Sequence, residues 1–222
     1  MHALIFAAGR GERMRPLTDI TPKPLLEVGG KRLIEWHLEK LAAAGVRNVV
    51  INTSHLAEQF PAALGDGSRW NLHIDYAYEG PTPLETGGGM LNALPLLGAA
   101  PFIAVNGDIW TNFDFSTLLH NPHGLAHLVM IDNPVHHLQG DFVLRDELLH
   151  NETSPRLTFA GIGVYCPALL AECKPGIFSI VPSLCAAMHD GAVSGEHFRG
   201  RWTDVGTPER LAALNAPVAG SR

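Results

Sequence analysis

Cysteine is scarce in this sequence, and the three present are not spaced for bonding. Cys166, Cys173 and Cys185 are odd in number and form no CxxC, which argues for reduced packing residues rather than a disulfide framework or a zinc site. Long apolar runs are missing too. Met1 leads straight into a strand-like segment, with no basic leader or small-residue cleavage site, so a cytoplasmic protein with no membrane partner is expected. Nor is there an excess of positive charge: sixteen Lys+Arg face twenty-two Asp+Glu, a net charge of −6. Phosphate backbones are held by broad basic surfaces, so no nucleic-acid partner is expected. No GxxxxGK[ST] occurs, Met14 stands where a third dinucleotide glycine belongs, and there is no HExxH; these absences speak against a P-loop ATPase, a dehydrogenase and a zinc protease. His120, His123, His127, His136 and His137 lie near one another in sequence but lack metal-site spacing, and they read as surface and turn histidines.

What is present is concentrated in one stretch. The apolar segment Ala3 to Ala8 reads as a buried first strand, and Gly9-Arg10-Gly11 opens a loop at its carboxyl end, the edge where open α/β sheets bind ligands. Gly9 and Gly11 permit close approach of backbone N–H groups to a polyphosphate chain. Arg10, Arg13, Arg15 and Lys23 put four of the sixteen cations on this loop, which points to an anionic small molecule.

Further along, the 46% hydrophobic content over 222 residues supports one substantial core, and no linker marks a second. Ile34, Leu38 and Leu41 repeat at helical spacing, with Gly45 placed as a left-handed cap. Strands are expected over 48–52, 73–78 and 102–106, giving βαβ units and a parallel sheet. Ser54 is expected to cap a helix over 55–64. Glu79 to Gly89 reads as a second glycine-rich loop before a helix over 90–97, and its glycines are equally compatible with a packing role. Asp108 follows the strand over 102–106, a common metal position in phosphoryl-transfer sites, although a strand-end Asp also forms turns. From Leu125 the pattern changes to strands joined by turns, over 125–131, 140–145 and 157–165. Pro208 sits well in the first turn of a closing helix.

Taken together, G-x-G-x-R-x-x-P-L-T over 9–18 followed by Pro22-Lys23-Pro24 resembles the signature of the sugar-1-phosphate nucleotidyltransferases. The resemblance continues through Asn106-Gly107-Asp108 and Trp202-Thr203-Asp204-Val205-Gly206-Thr207. It implies a three-layer α/β/α fold, Rossmann-like, with a mostly parallel, mixed central sheet. The nucleotide-binding part would cover about 1–110 and the sugar-phosphate-binding part about 111–222. It implies that Arg13 and Lys23 are catalytic, binding the triphosphate and stabilising departing pyrophosphate. Ala8, Gly9, Gly11, Glu79, Gly87 and Gly88 would surround the nucleotide, and Asn106, Gly140, Asp141, Glu152 and Gly161 the sugar phosphate. Asp108 and Asp204 would hold Mg²⁺.

The implied partners are a nucleoside triphosphate and a sugar 1-phosphate, with the chain a monomer or small homo-oligomer. The overall pattern points to UTP and N-acetylmuramic acid 1-phosphate in cell-wall sugar recycling. GTP with mannose 1-phosphate is the rival pair. A silent nucleotide-sugar-binding regulator is the rival of another class, and the presence of Arg13, Lys23, Asp108 and Asp204 favours an enzyme over it. The nucleophile would be a phosphate monoester, whose second pKa lies near ~6, so no general base is required. That agrees with the absence of any Ser/His/Asp arrangement.

Overall fold

A computed structural model describes residues 1–119, 124–153 and 155–216. Strand β1 (His2–Phe6) is followed by the basic loop, a small hairpin of β2 (Glu27–Val28) and β3 (Lys31–Arg32), and helix α1 (Leu33–Ala43). Next come β4 (Asn48–Thr53), α2 (Gln59–Leu64), β5 (His73–Tyr78), α3 (Glu85–Leu97) and β6 (Phe102–Asn106). The second part holds β7 (Ile109–Thr111), β8 (Ala126–Ile131), β9 (Val143–Arg145), β10 (Leu148–His150) and β11 (Thr158–Tyr165). It ends with α4 (Val181–His189), β12 (Val193–His197), β13 (Trp202–Asp204) and α5 (Pro208–Asn215).

Nine strands form one sheet in the order β5-β4-β1-β6-β11-β8-β12-β10-β9. β1 pairs in parallel with both β4 and β6, and β4 with β5. From β6 onward the sheet turns mixed: β11 is antiparallel to β6 and β8, whereas β12 runs parallel to β8. The central strands are apolar on both faces because both are covered. Ala3 and Ile5 join Ile34, Leu38, Leu41 and Phe60 on one side, and Leu4 joins Met90, Ala93, Leu184 and Met188 on the other. This is the three-layer α/β/α arrangement expected. Burying each of these large side chains contributes about 1.5–3 kcal/mol. Among the described residues no helix is long and apolar enough to cross a membrane.

Two local expectations are corrected. The helix after β4 begins only at Gln59, because Ser54 Oγ donates to the Gly80 carbonyl at 2.7 Å and ties β4 to the loop after β5 instead of capping. Helix α3 begins at Glu85, so Gly87, Gly88 and Gly89 belong to its first turns and not to a loop. Strand β12 had no clear signal, since V-S-G-E-H carries a glycine and two ionisable residues. His120 and His123 lie outside the described residues.

Candidate active site

The chain diverges at the carboxyl ends of β1 and β6, the switch point of the parallel half. A cleft of about 240 Å³ opens there, lined by Ala7, Ala8, Gly9, Gly11, Lys23, Asn52, Glu79, Glu85, Thr86, Asn106 and Asp108. Its wall is braced by a chain of hydrogen bonds. The Ala7 N–H donates to Asn52 Oδ1 at 2.6 Å, Asn52 Nδ2 donates to Glu79 Oε1 at 2.5 Å, and the Leu84 N–H donates to Glu79 Oε2 at 2.7 Å. Burial raises the Glu79 pKa, and the bonds from Leu84 and Asn52 oppose that shift. With both oxygens engaged, Glu79 fixes the wall rather than offering a free carboxylate. Asn52 is a functional position the sequence reading missed.

The basic loop folds over Met14, which is fully buried with Val28, Leu33 and Val205. The residue at the absent third glycine is therefore a core anchor. Thr18 Oγ1 donates to the Gly11 carbonyl at 2.9 Å, closing the loop beside Lys23. Lys23 is the most enclosed of the loop cations, and its Nζ lies 2.9 Å from Asp108 Oδ2. Arg13 is exposed and lines a second, continuous cleft with Asn106, Asp108, His136, Gly161 and Asp204. Arg10 reaches the Pro81 carbonyl at 3.2 Å, and Arg15 pairs with Asp19 on the open surface.

Asp108 and Asp204 meet through β7 and β13. The two strands pair antiparallel with Asp204 opposite Ile109, and the Val205 N–H donates to the Asp108 carbonyl at 2.7 Å. Asp204 Oδ2 accepts from Arg210 Nη1 of α5. His136 Nε2 stands 3.0 Å from Asp204 Oδ1, an ion pair when the imidazole is protonated, and that buried oxygen accepts no hydrogen bond. Arg210 and His136 are further residues the sequence reading did not place here. Two carboxylates on one cleft, Asp108 paired with Lys23 and Asp204 with Arg210, are the ligand type a hard divalent cation takes. Asp108 and Asp204 are thus the residues that would hold a divalent cation.

Gly140, Asp141, Asn106 and Gly161 line a third cleft of about 350 Å³ with Met90, Asn151, Arg156, Phe159, Tyr165 and Val181. Gly161 adopts φ +73° where the β11 register shifts, and a Cβ there would collide with Asn106. Asp141 Oδ2 accepts from the Phe159 N–H at 2.8 Å and Oδ1 lies 3.0 Å from His137 Nε2. Burial drives the Tyr165 hydroxyl pKa upward.

Three expected site residues stand elsewhere. Glu152 is exposed and bonded to Arg145 at 2.8 Å, which lowers its pKa, and it is Asn151 and Arg156 of the same segment that line the cleft. Gly87 and Gly88 donate their N–H groups to the Phe178 carbonyl at 2.9 and 3.1 Å, and a Cβ on either would strike the 176–180 segment. They allow that segment to cross α3, so their backbone donors are unavailable to a nucleobase.

Residues 2–137 match the family model described as Nucleotidyl transferase. The chain is 46% identical to the N-acetylmuramate alpha-1-phosphate uridylyltransferase of Neisseria meningitidis serogroup B, covering 97% of each. It is 34% identical to the enzyme of that name from Caulobacter vibrioides, over 98% of this chain and 96% of that one. A mannose-1-phosphate guanyltransferase of Aspergillus fumigatus is 32% identical over 94% of this chain and 62% of its own. In fold, a Bacillus anthracis structure described as a glucose-1-phosphate thymidylyltransferase superposes with a TM-score of 0.84 at 20% identity, covering 100% of this chain and 98% of that one. With the cleft, its two carboxylates and its loop cations in place, the chain belongs to the nucleotidyl transferase family.

Proposed function

We propose that this protein transfers a uridylyl group from UTP to N-acetylmuramic acid 1-phosphate, giving the UDP-sugar and pyrophosphate, in cell-wall sugar recycling. The near full-length similarity to two uridylyltransferases of that name supports the substrate pair. The observation that carries the chemistry is the convergence of Lys23, Arg13, Asp108 and Asp204 on connected clefts at the switch point.

A phosphate oxygen of the sugar 1-phosphate attacks the α-phosphorus, and the bond to the bridging oxygen of pyrophosphate breaks. The attacking oxygen is already ionised at neutral pH, so the protein's work is positioning and charge neutralisation. The backbone at Ala8, Gly9 and Gly11, with the braced Asn52–Glu79 wall, receives the nucleotide in the first cleft. Lys23 and Arg13 counter the charge that accumulates on the leaving pyrophosphate. A Mg²⁺ held by Asp108 and Asp204 would supply charge stabilisation for both reacting phosphates. The sugar enters the third cleft along Asn106, Gly140, Asp141 and Gly161, so residues 1–110 handle the nucleotide and 111–222 most of the sugar phosphate.

The direct test is pyrophosphate release across a panel of triphosphates and sugar 1-phosphates. UTP with N-acetylmuramic acid 1-phosphate should be turned over fastest. Faster reaction of GTP with mannose 1-phosphate would replace this reading, and no release with any pair would make the protein a binding homologue.

A further inference from the structure

The third cleft is largely apolar, and among its lining residues Arg156 is the one cation. The guanidinium is held in place: Nε donates to the Glu152 carbonyl at 2.5 Å, and Nη2 lies 3.4 Å from Asn151 Oδ1. Both partners are neutral groups. The adjacent carboxylate of Glu152 is taken by Arg145, and Asp141, the cleft's one acid, is engaged by His137 and the Phe159 N–H. Among the described residues, then, the charge of Arg156 is oriented without being matched.

Its position is as informative as its charge. Asn106, Phe159 and Gly161 line both this cleft and the one holding Asp108 and Asp204, whereas Arg156 lines this one and not the other. Arg156 therefore stands beyond the phosphate end, where substituents of the sugar ring fall. Resting on the substrate proposed above, N-acetylmuramic acid 1-phosphate differs from N-acetylglucosamine 1-phosphate by a lactyl ether that ends in a carboxylate. A planar guanidinium in a partly desolvated wall fits a carboxylate by two parallel charge-assisted bonds. A neutral hydroxyl would leave the charge uncompensated.

We infer that Arg156 is the specificity-determining residue that receives the lactyl carboxylate of the sugar 1-phosphate. It acts on the choice of sugar and takes no part in the phosphoryl chemistry.

The test is kcat/KM of the full-length enzyme with UTP and each of the two esters, for the wild type, Arg156→Gln and Arg156→Lys. Gln keeps a donor for the Glu152 carbonyl and removes the charge. For Arg156→Gln the N-acetylmuramic ester should lose roughly 10- to 100-fold, the span of one charge-assisted contact, while the N-acetylglucosamine ester changes less than about twofold. Arg156→Lys should fall between, since it keeps the charge without the fork. A wild type that prefers the N-acetylmuramic ester, with Arg156→Gln affecting both esters equally or neither, overturns the assignment alone. A wild type indifferent to the lactyl group overturns the substrate reading and this assignment with it.

Discussion

The two sides of this molecule are built on different plans. The cleft proposed for the nucleotide takes its walls from the ends of β1, β4, β5 and β6, neighbouring parallel strands tied together through Asn52 and Glu79. The cleft proposed for the sugar is floored by β6 and β11, walled by α3 and α4, and rimmed by the loop residues Gly140, Asp141, Asn151 and Arg156. One side is preorganised by the sheet itself. The other shares strand β6 with it and adds a rim of connections, whose sequence can change without disturbing the strands beneath them. On the proposed reading, such a molecule could alter its sugar while keeping its triphosphate chemistry.

The largest test of that division lies at the carboxylates. Asp108→Asn or Asp204→Asn should lower kcat by roughly 10³-fold and raise the magnesium concentration needed, with the melting temperature nearly unchanged for Asp108→Asn. If magnesium titrations of these variants match the wild type, the carboxylates only cap turns.

Lys23→Ala and Arg13→Ala should each cost roughly 10²- to 10³-fold in kcat while circular dichroism stays native, because both are loop residues. Near-normal turnover in either would remove it from the leaving-group site.

Stability offers a third handle on the nucleotide side. His37 of α1 is buried under β7, where desolvation lowers its pKa to about 4 despite its bond to the Ile109 carbonyl at 2.9 Å. The unfolded chain binds a proton near pH 6.5 that the folded chain refuses until about pH 4. Stability is therefore lost as pH falls through that window, by roughly 3 kcal/mol in all. Urea unfolding of His37→Gln at pH 7, 5.5 and 4.5 should show a shallower decline than the wild type; parallel curves would mean that another group dominates.

A smaller effect is expected from Gly88→Ala, which overpacks α3 against the 176–180 segment at roughly 1–3 kcal/mol. KM for the sugar phosphate should rise more than KM for UTP. The reverse order would return Gly88 to the nucleotide and break the comparison. Smallest of all, Glu152→Gln should leave both KM values within about twofold, because its carboxylate faces Arg145 and solvent.

The nucleotide side was also the more legible in sequence. β6 runs over the residues expected and β4 extends one further, since strands covered on both faces are written as plain apolar runs, and the edge strand β5 matches its expected span through an alternating pattern. The spacing of Ile34, Leu38 and Leu41 placed α1, and Gly45 does adopt φ +95°. Asn52 gave no signal, because its role depends on partners at Ala7 and Glu79 that only the fold brings near. Gly87 and Gly88 misled for a related reason. Glycine argues against helix by propensity, and the segment that demands a bare helix surface lies some ninety residues downstream, at Phe178. On the sugar side the strands were visible, but Arg156, His136 and Arg210 acquire meaning only from neighbours across the cleft.

The pairing of β7 with β13 also orders events in time. Asp108 precedes Asp204, and the Val205 amide bonded to the Asp108 carbonyl, by nearly a hundred residues in synthesis. Most of the sheet can form first, because its strands are complete by His197. A nascent or truncated chain that stops short of β13 can therefore carry the loop cations and the nucleotide walls and still lack its second carboxylate. On the proposed reading, the chemistry waits for β13.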